Sequence, residues 1–364
     1  MTSSESSGDP LLCPICGIEM SRIAVTGAGE VIGCEPCAEQ RGVEADILTE
    51  EEWTAPDSVR QALAEYGIIE YQATKSPCTE TREPRAHVWE VTAGDKRYVV
   101  KRFHAWLEDA AIEHERSVLS RLAERRMPVA APMLSREGAP VVRVVGERWA
   151  LYPTLGGRHL TQQEWMWHIP RAAETLAEMH VALEDWTPDG APHSAWDSWN
   201  QEKLEAMLAQ WPALDDIPLD LLDAVRDRLA ERYFSGVYEA LPRTIVHGDF
   251  CASNVLWHGE QVVGILDFEK AHRDTVLFDF GWGIGTRHPP LVRAVVATYT
   301  RTRPLSPLER EALPEALLIG TLMAIHSQLT VFKNVDAAVR RAQDLFFLMR
   351  DAEILRRAVA VRPA

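Results

Sequence analysis

The sequence predicts an α+β protein in two lobes, a small β-rich N-lobe and a large helical C-lobe, with a small zinc-binding segment in front. Three features support this organisation: two cysteine pairs near the start, strand and turn patterns up to about residue 153, and helical periodicity over most of the remainder. We expect a disordered tail at 1–10, the zinc segment at 11–45, the N-lobe at 46–153 and the C-lobe at 154–364.

Four cysteines carry the zinc prediction. Cys13 and Cys16 form one C-x₂-C pair, Cys34 and Cys37 form a second, and seventeen residues separate the pairs. Four thiolates can close a tetrahedral structural site, so the expected role of the metal is to fold a segment too small for its own core. The pattern resembles a zinc ribbon. Two disulfides are the alternative, although nothing else in the chain indicates an oxidising compartment.

The N-lobe begins with a predicted β-hairpin that carries a lysine. Apolar runs at 88–92 and 97–103 flank a four-residue turn that contains glycine and aspartate, and Lys101 lies on the second strand. A cation at this position needs a carboxylate to position it.

The helix predicted at 107–126 supplies that carboxylate. Its apolar stripe contains one charged residue, Glu115, whereas Glu113 lies on the polar face. An inward-facing charge requires a partner, so we predict that Glu115 pairs with Lys101. The alternative is that both side chains are solvated.

The connection between the lobes is predicted to be an apolar strand at 148–155, which ends in two glycines. Thr161 and Glu164 have the spacing of a capping box at the start of the next helix. His180 shares the apolar face of that helix with leucine and methionine side chains. We therefore interpret His180 as a buried, hydrogen-bonded core residue and not as a catalytic one.

The run HGDFCASN at 247–254 is the most informative stretch of the chain. It is followed by a predicted hairpin at 255–266, whose turn is His-Gly-Glu-Gln, and then by Asp267. Because the hairpin returns the chain to its starting point, Asp267 is expected beside Asn254. These two residues offer hard oxygen ligands to one Mg²⁺, while Asp249 can orient an attacking hydroxyl and accept its proton. The arrangement indicates phosphoryl transfer.

These residues resemble the aminoglycoside phosphotransferase and choline kinase-like family, whose catalytic loop reads HGDxxxxN and whose metal carboxylate lies in a tripeptide such as the Asp-Phe-Glu at 267–269. The likeness runs from about Tyr71 to the C-terminus. It implies a bilobal protein-kinase-like fold with Asp249 as the catalytic aspartate. It also implies that Asn254 and Asp267 are the magnesium ligands.

The same resemblance assigns further positions. Lys101 resembles the ATP lysine of the family, and Asp279 resembles a later aspartate that braces the catalytic loop. In this fold adenine hydrogen-bonds to the backbone of the connecting strand, which implies a contact between Tyr152 and Leu155. The chain departs from the family at 75–87, where many relatives have glycines and this sequence has none. Side chains such as Arg82 could meet the phosphates there, or the loop is simply exposed.

Composition excludes some classes of protein. The chain has 38 basic and 54 acidic residues and a net charge of −16, which disfavours nucleic acid as a partner. It contains no run of eighteen apolar residues, and its polar, acidic start is not a signal peptide. A cytoplasmic enzyme is expected, with 46% hydrophobic residues for its core.

The acceptor is the least defined part of the prediction. Half of the twelve tryptophans lie between the connecting strand and the catalytic loop, interleaved with acidic residues. Such a set could bind a cationic acceptor, and the alternative is that the aromatic residues are core and the acidic ones solvated. The six tryptophans are Trp165, Trp167, Trp186, Trp196, Trp199 and Trp211.

Together these observations predict an ATP- and Mg²⁺-dependent O-phosphotransferase with a structural Zn²⁺ ion. Its acceptor is expected to be a hydroxyl of a small molecule that resembles an aminoglycoside, an amino alcohol or a sugar. Two alternatives stay open. One is a kinase of serine or threonine in a peptide docked by the zinc segment, and the other is a catalytically silent binding module with a kinase-like fold.

Overall fold

The computed structural model describes residues 22–25, 31–34, 46–49, 57–75, 87–105, 107–186, 188, 200–211, 217–284, 289–330 and 333–360. The chain divides into two compact units. The first contains the described residues up to Leu107 together with Pro132–Thr154, and the second contains Glu108–Ala131 together with the described residues from Leu155 onward.

Near the N-terminus three short strands form an antiparallel sheet. They are β1 (Arg22–Val25), β2 (Val31–Cys34) and β3 (Asp46–Thr49), in the order β2-β1-β3. Cys34 is the last residue of β2 and pairs with Ile23, and the structure describes its backbone alone. The other three cysteines of the zinc prediction, Cys13, Cys16 and Cys37, lie outside the described residues.

The first unit is built on a five-stranded antiparallel sheet in the order β4-β5-β6-β8-β7. Its strands are β4 (Gln72–Lys75), β5 (His87–Ala93), β6 (Lys96–Arg102), β7 (Val142–Val144) and β8 (Glu147–Pro153). The hairpin predicted around residues 93–96 is confirmed, because Ala93 pairs with Lys96 at the β5–β6 turn. The glycine-free loop between β4 and β5, with Arg82, lies outside the described residues.

Helix α1 (Asp57–Glu65) covers this sheet and completes an apolar core. Leu63 of the helix packs with Trp89 and Trp149 of the strands, and the two indole rings lie 5.5 Å apart. Tyr66 follows the helix and donates from its hydroxyl to the Trp149 carbonyl at 3.3 Å. Burial raises the pKa of Tyr66 to about 12, so the hydroxyl keeps its proton and remains a donor.

The second unit is mainly helical. Its first helix, α2, lies earlier in the chain than the rest of the unit and packs with α3. The helices are α2 (Asp109–Glu124), α3 (Gln162–Leu183), α4 (Gln201–Leu208), α5 (Leu219–Arg232), α6 (Val237–Ala240), α7 (Pro289–Thr302), α8 (Pro307–Thr330) and α9 (Val335–Ala360).

Helix α3 begins at the predicted capping box. The Glu164 amide donates to the Thr161 hydroxyl at 3.3 Å, and the Thr161 amide donates back to the Glu164 carboxylate at 2.9 Å. These two bonds satisfy amides that the first helical turn leaves without partners. The prediction for the start of this helix is therefore confirmed.

Helix α8 runs through the core of the second unit. By length and composition it is the one helix in the described part of the chain that could cross a membrane, yet 78% of its most apolar window is buried inside the protein. Glu315 on this helix is 1% exposed and accepts hydrogen bonds from Arg228 of α5 and Arg356 of α9. A buried carboxylate with two guanidinium partners ties three helices together.

Two small antiparallel pairs and two tight turns complete the unit. Strand β9 (Thr244–Val246) pairs with β12 (His272–Asp274), and β10 (Val255–His258) pairs with β11 (Gln261–Ile265). A 3₁₀ turn at Ala252–Asn254 leads into β10, and a buried π-helical turn at Asp279–Ile284 follows β12.

The π-helical turn packs directly on α8 through two glycines. A Cβ atom on Gly320 would lie 1.9 Å from the Gly281 carbonyl oxygen, and one on Gly281 would lie 2.3 Å from the Ala316 carbonyl oxygen. No side chain fits at either position, so the two backbones are in contact here.

Candidate active site

The candidate active site lies in the second unit, in the loop between β9 and the 3₁₀ turn. Asp249 is half-buried there, and both of its carboxylate oxygens accept hydrogen bonds. The Lys270 ammonium donates to Oδ2 at 2.7 Å, and the Trp282 indole N–H donates to Oδ1 at 3.1 Å. These two partners come from the segment after β11 and from the π-helical turn, so two separate stretches of chain orient one carboxylate.

His247 connects this loop to the strand that precedes Asp267. Its Nδ1 accepts from the Asp249 amide at 3.1 Å, so Nε2 carries the proton and donates to the Leu266 carbonyl at 2.9 Å. The ring is buried and packs on Phe268 with 4.5 Å between ring centroids. His247 therefore links the backbone amide of Asp249 to the carbonyl of Leu266, the residue that precedes Asp267.

Asp279 holds the same loop from the other side. Its Oδ1 accepts from the Gly248 amide at 2.8 Å, and its Oδ2 accepts from the His247 amide at 2.8 Å and from His180 Nε2 at 3.0 Å. The carboxylate is fully buried. The bracing role that the resemblance implied for Asp279 agrees with this geometry.

A chain of buried hydrogen bonds continues behind Asp279. Because His180 donates from Nε2, its Nδ1 accepts from the Tyr299 hydroxyl at 2.7 Å. Burial lowers the pKa of His180 and keeps it neutral. Burial alone would raise the pKa of Asp279, but the hydrogen bonds from His180 and His247 lower it below its ordinary value. The interpretation of His180 as a bonded core residue is confirmed.

Gly248 is required by the shape of the loop. Its φ angle is +80°, and a Cβ atom there would lie 2.2 Å from the Lys270 carbonyl oxygen. Gly283 of the π-helical turn makes a similar approach, because its Cβ atom would lie 2.7 Å from the Phe250 carbonyl oxygen. The catalytic loop therefore touches backbone on both sides, which restricts its movement.

The hairpin brings Asn254 and Asp267 to the same end. Asn254 Nδ2 donates to the Asp249 carbonyl at 2.9 Å, and the Leu266 amide donates to the Asn254 carbonyl at 2.8 Å. Asp267 is the next residue, exposed, and has a φ angle of +60°. This left-handed conformation is uncommon for a residue with a side chain and is typical of functional positions. The predicted hairpin is confirmed by the pairing of Val255 with Ile265.

The remaining predicted nucleotide residues are distributed over both units. Lys101 lies on β6 between Val88 and Ala150, and Tyr152 lies on β8, both in the first unit. Glu115 and Leu155 belong to the second unit. Glu115 is 5% exposed on α2 whereas Glu113 is exposed, so the predicted inward orientation is confirmed. The pairing of Glu115 with Lys101 stays a prediction.

The oxygen donors of the site are compatible with a magnesium ion whose remaining ligands come from a nucleotide. Within the described residues, no group of three or more His, Cys, Asp or Glu side chains could hold a metal ion. Asn254 and Asp267 offer oxygen donors, and Mg²⁺ bound to a nucleotide commonly uses one or two protein oxygens together with phosphate oxygens and water. The site is therefore suited to bind Mg²⁺ as a complex with a nucleotide.

Comparison with known families decides the assignment. The profile of the phosphotransferase enzyme family (APH) matches residues 82–316. The chain belongs to this family. Accordingly, the protein is a small-molecule phosphotransferase that acts on an alcohol group.

Individual relatives agree with this assignment. The phosphotransferase is 29% identical over 307 residues to a homoserine kinase of Methylobacillus glycogenes, across 81% of this chain and 90% of the relative. Its fold is similar to a microcompartment-associated aminopropanol kinase, with a TM-score of 0.64 and 18% identity over 82% of this chain and 97% of the other. An amicoumacin kinase bound to AMP-PNP and Ca²⁺ has a TM-score of 0.60 and 16% identity, over 82% and 94% of the two chains.

Sequence reasoning missed two residues of the phosphotransferase site. Lys270 directly follows the Asp-Phe-Glu tripeptide. A lysine beside Asp267 and Glu269 is a signal that its ammonium pairs with a carboxylate of the site. Trp282 stands between Gly281 and Gly283, and glycines on both sides of an aromatic residue suggest that its ring is placed by close backbone packing. Neither signal identifies Asp249 as the shared partner.

The tryptophan-rich region gives a mixed result. Trp165 is 3% exposed and packs edge-on against Trp257 at 6.4 Å, so it is a core residue. Trp211 donates from its indole N–H to His326 Nδ1 at 3.2 Å and is half-buried, and Trp167 is 80% exposed. Trp196 and Trp199 lie outside the described residues.

Proposed function

We propose that this phosphotransferase transfers the γ-phosphoryl group of ATP, with Mg²⁺, to the hydroxyl of a small amino alcohol. One observation carries the proposal: two side-chain donors orient the Asp249 carboxylate in a loop that Asp279 braces, and Asn254 bonds to the Asp249 carbonyl. A carboxylate with this support keeps one orientation, which is what a group that receives a proton from an attacking hydroxyl requires.

The residues divide the work of the reaction. Bound ATP and Mg²⁺ supply the phosphoryl group and neutralise charge on it. Asn254 and Asp267 would hold the metal through their side-chain oxygens. Asp249 orients the acceptor hydroxyl and takes its proton, the acceptor oxygen forms the new bond to phosphorus, and the bond from phosphorus to the ADP oxygen breaks. His247, Gly248 and Asp279 keep the loop in place while this occurs.

The acceptor class rests on the relatives. The homoserine kinase and the aminopropanol kinase are named for acceptors that carry a hydroxyl and an amine. The acidic surface that a net charge of −16 predicts would favour the approach of an acceptor with a net positive charge, such as aminopropanol, whereas homoserine is a zwitterion without net charge. An amino alcohol is therefore the first class to test, followed by aminoglycosides and sugars.

A structural zinc ion is the second part of the proposal. We propose that the ion stabilises the segment that contains the three-stranded antiparallel sheet β2-β1-β3, in which Cys34 ends one strand. Two C-x₂-C pairs would supply four thiolates.

In the peptide kinase alternative, the predicted zinc segment at 11–45 docks the substrate chain. Deletion of this segment should then raise the Michaelis constant for a peptide selectively.

The test is a comparison of three proteins with one acceptor panel. Wild type, Asp249→Ala and the control Asp223→Ala are incubated with ATP, Mg²⁺ and L-homoserine, aminopropanol, aminoglycosides, sugars or hydroxyl-bearing peptides, and products are read by mass. We expect a phosphorylated amino alcohol with wild type and with the control, whose Asp223 is exposed on α5 and pairs with Arg226 on the same helix. The product should disappear with Asp249→Ala.

Nucleotide binding separates the alternatives. Asp249→Ala should still bind ATP, because the variant keeps Asn254, Asp267 and Lys101. A wild-type protein that binds no nucleotide and yields no product would support the silent binding module. A product found only with peptides would support the peptide kinase.

A further inference from the structure

Both oxygens of the Asp249 carboxylate are already occupied. Lys270 Nζ lies 2.7 Å from Oδ2 and Trp282 Nε1 lies 3.1 Å from Oδ1. Each oxygen of an ionised carboxylate can accept a second hydrogen bond, so an incoming hydroxyl competes with these two donors for Asp249. We propose that Lys270 masks Asp249 in the resting enzyme and that the acceptor displaces it. This inference rests on the proposed function.

Lys270 is the partner that can withdraw. Its side chain is 33% exposed and ends in an ammonium on a flexible four-carbon stem, which can reorient without moving the backbone. Trp282 has a rigid ring on the buried π-helical turn, where Gly281 and Gly283 are in close contact with neighbouring backbone. The indole therefore keeps Asp249 oriented while the ammonium exchanges with the acceptor.

Hydrogen bonds fix the backbone around Lys270. The contact between Lys270 and Asp249 therefore does not depend on a mobile surface segment. His272 Nδ1 donates to the Lys270 carbonyl at 2.8 Å, and His114 Nε2 donates to the next carbonyl, that of Ala271, at 2.9 Å. Gly248 allows the catalytic loop to approach the Lys270 carbonyl closely. Contacts with His114, Gly248 and His272 thus fix the backbone of Lys270 beside the catalytic loop.

The ammonium also keeps its charge. Burial alone would lower the pKa of Lys270, but the Asp249 carboxylate and, further away, Asp267 raise it above its ordinary value. A permanently charged partner covers the carboxylate at neutral pH. The mask would therefore hold over the whole physiological pH range and respond to the acceptor, not to proton concentration.

A chemical consequence follows for ATP in the absence of an acceptor. Hydrolysis requires a water oxygen to attack the γ-phosphorus, ADP to leave and the water proton to pass to Asp249. While Lys270 pairs with Oδ2, a water molecule must compete with an ammonium group for that oxygen. The mask therefore suppresses wasteful hydrolysis until a molecule with enough binding energy of its own displaces the ammonium.

The test uses the full-length chain with Lys270→Met, Lys270→Gln and Lys270→Arg. Arg273→Met is the control, since Arg273 is an exposed cation on the adjacent strand β12. One readout is ATP hydrolysis without acceptor. The other is the equilibrium dissociation constant of L-homoserine or aminopropanol measured by calorimetry without nucleotide, which does not depend on turnover. Thermal unfolding reports that each variant is folded.

Removal of the ammonium should raise acceptor-free hydrolysis and tighten acceptor binding, each by about three- to tenfold, the range expected when a partly exposed charge-assisted hydrogen bond is lost. Lys270→Arg keeps a cation beside Asp249 and should show a smaller increase than either neutral variant, whereas Arg273→Met should behave as wild type. If hydrolysis falls together with transfer in both neutral variants, or acceptor affinity does not change, the mask is refuted. A wild-type protein that phosphorylates no acceptor would refute the proposed function instead.

Discussion

Replacement of Asp279 by asparagine tests whether the hydrogen-bond network behind the catalytic loop stabilises the folded protein. The carboxylate accepts from three buried donors, the His247 amide, the Gly248 amide and His180 Nε2. An asparagine has one acceptor oxygen in place of two. In its better orientation it keeps the two donors at Oδ2 and turns its NH₂ group toward the Gly248 amide. One buried donor then has no acceptor, and the two remaining bonds lose their charge.

The magnitude follows from these losses. A hydrogen bond to a charged group contributes about 1.5–3 kcal/mol, and an unsatisfied buried donor costs about 1–3 kcal/mol. Together with the weakening of the two remaining bonds, the free energy of unfolding should fall by about 3–5 kcal/mol. Solvent does not screen these interactions, because Asp279 and His180 are both fully buried.

The assay is urea unfolding of wild type, Asp279→Asn and Asp223→Asn. The control removes an exposed carboxylate that pairs with Arg226 at the surface, and its effect should stay below about 1 kcal/mol. Hydrogen exchange over 244–250 locates the effect, since the Gly248 amide should lose protection in Asp279→Asn. Equal unfolding free energies for wild type and Asp279→Asn, with unchanged exchange at Gly248, would refute the reasoning.

The pH dependence gives an independent check with a defined sign. Hydrogen bonds from His180 and His247 outweigh burial and lower the pKa of Asp279 in the folded state. Its contribution is therefore present above the pKa of the unfolded chain, about 3.9, and is lost as pH falls through the lower folded value. The difference in unfolding free energy between wild type and Asp279→Asn should accordingly be largest near pH 7 and should narrow as pH is lowered toward 3.

Three further predictions concern other parts of the chain. Gly248→Ala should lower kcat by about 100-fold or more with the circular dichroism spectrum unchanged, because the new Cβ atom meets the Lys270 carbonyl at a positive φ angle. Glu315→Ala should lower the free energy of unfolding by about 3–5 kcal/mol in urea titrations, since two arginines lose their buried carboxylate, whereas equal stability would contradict this account. Purified full-length protein should contain about one zinc ion per chain by mass spectrometry, and Cys34→Ser should lower that content.

Local patterns predicted most of what positions the candidate site. The hairpin after Asn254 follows from two short apolar strands around a four-residue turn, and Glu115 was found inward because helical periodicity assigns it to the buried stripe. The capping box at Thr161 is local as well. Each of these signals lies within a few residues of chain, where geometry depends on neighbours that the sequence shows directly.

Contacts between distant residues were not predictable in the same way. Lys270 and Trp282 reach Asp249 from 21 and 33 residues further along the chain, and no periodicity links these positions. Trp165 shows the converse. It was a candidate for the acceptor site on composition alone, and the fold buries it against Trp257. Composition cannot tell which face of a helix meets the core when both faces carry aromatic residues.

The contact between Gly281 and Gly320 restricts how this protein can vary. Each position already has the smallest possible residue, so a larger residue at one cannot be compensated by a smaller residue at the other. In a saturation-mutagenesis library both positions should therefore tolerate no substitution, singly or in combination. Variation in the turn that carries Trp282 and in the middle of α8 must therefore leave both glycines in place.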